Sequence, residues 1–159
     1  MAHDGQDMPL SATALMPNLL TLTGDAIAPV EAILETARTK LRDLVTDNGR
    51  VSNALIEANQ TASHGFAWLA TYVEALRQMQ NWAVKLDGEG KFSEVEALIH
   101  QIAFGEYLWQ IYGGIPMNQG EILRLQDIGL NQLDRSVLMS PAVMTLTQTG
   151  NTQAARTRR

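Results

Sequence analysis

Between about Ala26 and Thr46, apolar residues recur at alternating spacings of three and four: Ile27, Val30, Leu34, Ala37, Leu41 and Leu44. That period draws one apolar stripe along an α-helix. Pro29 falls in the first turn of this helix, where a missing N–H costs no bond. Glu31 and Glu35 come early and Arg38, Lys40 and Arg42 late, an order that complements the helix dipole. Asp47-Asn48-Gly49 ends the helix with residues that accept left-handed backbone. A longer pattern runs from about Ser52, a suitable N-cap, to Leu86. One of its stripes carries Leu55, Ala62, Phe66, Leu69, Val73, Leu76 and Ala83, interrupted by Asn59 and Gln80. A second stripe beside it carries Ala58, Gly65, Trp68, Tyr72, Ala75, Met79, Trp82 and Leu86. Two adjacent stripes predict a wide face with more than one neighbour. Gly65 costs about 1 kcal/mol relative to Ala in a helix, so it predicts a close crossing rather than a break.

Asp87-Gly88-Glu89-Gly90 turns the chain into a third helix. Ser93 and Glu96 have the spacing of a capping box, and Phe92 can staple to the first turns. This helix runs to about Tyr112, is apolar around most of its circumference and is expected to be the most buried. Gly113-Gly114 stops it. The short turn before it predicts that the second and third helices lie antiparallel. From Ile115 to Gly129 the pattern is irregular: Pro116 and Gly120 interrupt it, and Ile122 to Leu125 fits strand, turn or helix. Asn131 can cap a short helix to Leu138, and Ser140-Pro141 opens another that closes at Gly150. The fold class is therefore all-α, an antiparallel helical bundle with two long helices plus shorter flanking helices. Its expected bounds are 25–150. A weakly ordered lead-in, 1–24, carries Pro9, Pro17 and Gly24, and a polar basic tail covers 151–159.

Composition changes this picture little. The 159 residues suit one domain with its own core. Charged residues make up 18%, a slightly thin share that, with three Trp and seven Met, leaves room for an exposed apolar face. A net charge of −5 argues against nucleic acid and against an anionic membrane surface. Arg156, Arg158 and Arg159 form one basic cluster, read as a solvated tail. The absence of Cys removes disulfides, thiolate metal sites and a Cys nucleophile, and fits a reducing cytoplasm. Met1 to Pro9, with Asp4 and Asp7, lacks a signal pattern, and no apolar run reaches the roughly 20 residues of a membrane span. The expected location is cytoplasmic.

Candidate chemistry is sparse. His3, His64 and His100 lie on different segments with no metal-ligand spacing, and Glu96 with His100 reads as a surface pair. Ser63 and His64 are helix neighbours that point apart, so they form no triad. Glu106 lies in an apolar turn and reads as an edge residue reaching solvent or Arg; the alternative is a buried acid tuned for proton transfer. Trp68, Tyr72, Trp82, Trp109 and Tyr112 read either as core or as a protein interface, where such residues are enriched.

Between about His64 and Gly129, three runs resemble a known family. They are His64-Gly65-Phe66-Ala67-Trp68-Leu69-Ala70-Thr71-Tyr72-Val73-Glu74-Ala75-Leu76-Arg77, Ile102-Ala103-Phe104-Gly105-Glu106-Tyr107-Leu108, and Gly113-Gly114-Ile115-Pro116-Met117 followed by Gln119-Gly120-Glu121-Ile122. They look like the N-terminal helical extension of methylsuccinyl-CoA dehydrogenase-like proteins, of the acyl-CoA dehydrogenase superfamily. The resemblance implies an accessory domain or fragment that aids assembly or shapes the acyl-CoA site and is inactive alone. The catalytic carboxylate and FAD would belong to a dehydrogenase core, in the same or a neighbouring chain of a homo-oligomer. Gln110-Ile111-Tyr112-Gly113-Gly114 is also similar to a stretch that lies against FAD in the C-terminal helical domain of that superfamily, which would make Gln110, Gly113 and Gly114 cofactor-binding. Here Ile115-Pro116 follows where the family usually has another Gly. Two further expectations stand beside this one: a stand-alone interaction module that self-associates through its aromatic face, and a small helical enzyme using Glu106.

Overall fold

The computed structural model describes residues 14–157; His3, Pro9, Arg158 and Arg159 lie outside them. Three long helices, α1 (Leu19–Val45), α3 (Gln60–Gly88) and α4 (Glu94–Gly113), make the body. The shorter helices are α2 (Asn53–Ala58), α5 (Gln132–Arg135), α6 (Pro141–Thr149) and α7 (Gln153–Thr157), with 3-10 turns at Leu125–Ile128 and Ser136–Met139. α1 packs mainly on α3, and α4 lies between α3 and α6. Tyr72 meets Gln110 while Gln80 meets His100, so α3 and α4 run antiparallel. Ile33, Leu69, Leu76, Phe104, Leu108, Ile111 and Leu146 form the centre of the core. Each such side chain contributes about 1.5–3 kcal/mol by leaving water. The bundle is all-α apart from two small antiparallel hairpins.

α1 begins at Leu19, inside the segment expected to be a weakly ordered lead-in. Its buried residues include Ala26 and Ile33, while Leu44 of the expected stripe is exposed. Pro29 therefore sits in the helix interior rather than in a first turn. The start is held from elsewhere: Met16 N–H donates to Gln101 Oε1 at 2.8 Å, and Gln80 Nε2 donates to the Leu20 carbonyl at 3.0 Å. Asn48 (φ 49°) and Gly49 (φ 76°) do more than end α1. Two successive left-handed residues turn a hairpin, pairing β1 (Thr46–Asp47) with β2 (Arg50–Val51).

The helix expected from Ser52 to Leu86 is divided at Asn59. The Asn59 side chain donates to the Leu55 carbonyl at 2.9 Å, a local bond that competes with the helical ladder. Gly65 does mark a close approach, but to a loop and not to a helix. A Cβ there would strike the Leu123 side chain and lie 3.3 Å from Ile128. Leu123 belongs to the second hairpin, β3 (Ile115–Pro116) with β4 (Ile122–Leu123), paired Ile115 to Leu123 and Pro116 to Ile122. α4 starts as expected, with the Ser93 N–H donating to Glu96 Oε2 at 3.1 Å. It is not buried all round, however: Val95, Ile99, Trp109 and Tyr112 are exposed. The segment expected to be a polar tail contains α7, whose Ala155 is buried.

Candidate functional site

α4 carries the polar residues that tie its neighbours to it: His100, Gln101, Glu106 and Gln110. Gln101, which directly follows His100, is 1% exposed yet makes three bonds. Besides accepting from Met16, it donates through Nε2 to the Ala14 carbonyl at 2.9 Å and the Gly150 carbonyl at 3.1 Å. It clips the segment before α1 and the end of α6 to the same point on α4. His100 is fully buried, not part of a surface pair; Glu96 turns instead to Ser93. The Thr23 hydroxyl donates to the Leu19 carbonyl, so it accepts from His100 Nε2 at 2.9 Å, and Gln80 Oε1 lies 3.2 Å from the same nitrogen. That places the ring proton on Nε2 and leaves buried Nδ1 without a partner among the described residues. Phe92 and Phe104 wall the ring at centroid distances of 6.0 and 4.7 Å. Burial in this apolar box pushes the imidazole down to about 4.

A second network surrounds Glu106. Gln110 Nε2 donates to Glu106 Oε1 at 2.5 Å and Asn151 Nδ2 to Oε2 at 2.6 Å. The Tyr72 hydroxyl donates to Gln110 Oε1 at 2.5 Å, and Arg156 donates to the Asn151 side chain at 2.8 Å. Burial, then the neighbouring Tyr107 and Glu106, push the Tyr72 hydroxyl above its ordinary value, which keeps it a neutral donor. Glu106 is thus neither a free edge residue nor an acid facing a closed chamber. It is a positioned acceptor joining α3, α4 and the loop before α7, beside a cleft of about 430 Å³ that Trp109 and Arg156 also line.

A groove of about 780 Å³ lies between the start of α3 and the second hairpin; Gln60, Ser63, His64, Met117, Ile122 and Arg124 are among its walls. Trp68 Nε1 donates to His64 Nε2 at 3.1 Å, so that nitrogen is already engaged and does not serve Ser63. The described residues contain no group of three or more His, Cys, Asp or Glu placed to hold a metal ion.

Gln110, Gly113 and Gly114 come together at the end of α4; Gly113 is exposed with open space beside it, while the other two meet neighbours of this chain. Gln110 bridges Tyr72 and Glu106, and the space a Cβ of Gly114 would occupy is filled by Ile122 at 2.5 Å. Of the five aromatic residues, Trp68 and Tyr72 pack half-buried against the core, while Trp82, Trp109 and Tyr112 are exposed. Gln101 and His100 were missed as organising residues. The signal available for them was a His-Gln pair on the apolar helix, where a polar side chain implies a buried partner.

These observations define a class: an all-α bundle whose defined polar networks bind its own helices together, with aromatic residues left on the outside. No protein-family model matches the chain. It is similar to the (2S)-methylsuccinyl-CoA dehydrogenase of Cereibacter sphaeroides, with 54% identity over 151 residues, 94% of this chain. The match takes in 26% of that relative, so the chain spans about a quarter of its length and resembles part of it. Among the described residues no helix is long and apolar enough to cross a membrane.

Proposed function

We propose that the chain is an accessory helical unit of an acyl-CoA dehydrogenase-like flavoenzyme, placed before the dehydrogenase body, aiding assembly or shaping the acyl-CoA entrance. The identity carries this reading: 54% over nearly the whole chain, against a quarter of a dehydrogenase. FAD, the catalytic carboxylate and the acyl-CoA contacts then belong to the rest of that enzyme, which works in the cytoplasm as a homo-oligomer. The inward-facing bonds of Glu106 and Gln110 support a structural part for this chain. The 159-residue chain, purified alone, is expected to be colourless and to reduce no dye in the presence of an acyl-CoA. A yellow preparation with dye-reducing activity overturns the proposal.

The exposed Trp82, Trp109 and Tyr112 favour one second reading, a stand-alone module that self-associates through its aromatic residues. Sedimentation separates the two. A chain that stays monomeric at high concentration removes self-association.

A further inference from the structure

α4 has an apolar line that no other described element covers. Val95, Ile99, Ile102 and Trp109 fall on one side of the helix, with Val95 61%, Ile99 53% and Trp109 54% exposed. Phe104, Leu108 and Ile111 on the opposite side are buried. Glu106 interrupts the line, but its carboxylate is drawn sideways to Gln110 and Asn151. Trp109 stacks on Tyr112 with ring centroids 6.2 Å apart, which extends the apolar surface at this end of the line. A helix apolar around its whole circumference is one that is covered all round, and an exposed apolar patch marks an interaction site.

Position decides what covers it. α7 packs against α4, and Arg156 lines the same cleft as Trp109. The last described helix, α7, thus lies beside this face. In the dehydrogenase relative, the greater part of the protein lies outside the matched quarter. We infer that the Val95–Trp109 face of α4 is the surface by which the helical unit docks on the dehydrogenase body of its own longer chain, an inference that rests on the function proposed above. The tether makes the contact intramolecular, at an effective concentration of about a millimolar, which a second copy in solution does not match. Trp109 is the anchor, as central aromatic residues are in protein interfaces.

Carbene footprinting tests this on the product of the longer reading frame and on the 159-residue chain. Val95, Ile99 and Trp109 are expected to label freely in the short chain and at least about fivefold less in the long one, as in the dry centre of an interface. The double variant Ile99→Glu, Trp109→Ser is expected to melt like the parent in the short chain, because both sites are exposed, and to lose the protection in the long one. Equal labelling of parent short and long chains overturns the docking while leaving the accessory role standing. Protection that grows with concentration in the short chain identifies a second copy as the occupant and also overturns it. A longer frame with no dehydrogenase body overturns both the docking and the proposed function.

Discussion

At the scale of single residues, the bundle depends on two neighbours with opposite chemistry. Gln101 satisfies three backbone groups at once, so replacing it leaves buried donors and acceptors with no partner. Gln101→Ala is expected to lower stability by about 3 kcal/mol in urea unfolding, the range for unsatisfied buried polar groups. His100 acts through its proton. Its folded-state value of about 4 lies below the ordinary 6.5, so the unfolded chain binds more protons between those values. Stability contributed by the neutral ring is complete above about pH 6.5. It falls as pH drops through that window and is gone below about pH 4, an order-of-magnitude change of 3 kcal/mol. Urea midpoints measured from pH 7 to 4 check this against His100→Leu, which is expected to show a shallower slope. An identical slope in the variant would show that the ring does not titrate in this way.

At the scale of elements, the closest approach worth testing is α4 against the end of α6. A Cβ on Gly105 would lie 2.7 Å from the Asn151 nitrogen and 2.9 Å from the Gly150 carbonyl carbon. Backbone cannot swing aside as a side chain can, so Gly105→Ala is expected to cost about 2 kcal/mol, measured by thermal unfolding. Gly65→Ala meets the side chains of Leu123 and Ile128 and is expected to cost less. This contrast also shows what the sequence made legible. Local signals did well: Ser93 and Glu96 placed the start of α4, and Ser140-Pro141 the start of α6. The start of α1 was misjudged because Pro17 and Gly24 look like stops. The bonds that secure it come from Gln80 and Gln101, far along the chain. Asn59 was read as a polar blemish because the apolar period continues on both sides of it. The irregular stretch after Gly114 could not be resolved by period, since its fold depends on Leu123 and Ile128 reaching Gly65.

At the scale of the whole molecule, the candidate site was only partly visible beforehand. By type, Trp109 and Tyr112 could be read either as core or as interface, and both are exposed. That Trp109 lies on an uncovered line of α4, with Tyr112 beside it, depends on where α3, α6 and α7 pack. The motif drew Gln110, Gly113 and Gly114 toward a cofactor; it could not show that Gln110 bonds Tyr72 or that Ile122 packs against Gly114, contacts made across the fold. The Gln101 clip has a further consequence at this scale. Ala14 and Met16, near the beginning of the described chain, and Gly150, near its end, are bonded to one side chain and hence lie close together. A chain cut back to these residues is therefore expected to survive circular permutation, with Ala14 and Gly150 joined by a short linker and new ends opened at the exposed Asn48-Gly49 turn. Cooperative melting of the rewired bundle would show that the clip needs no particular order of elements.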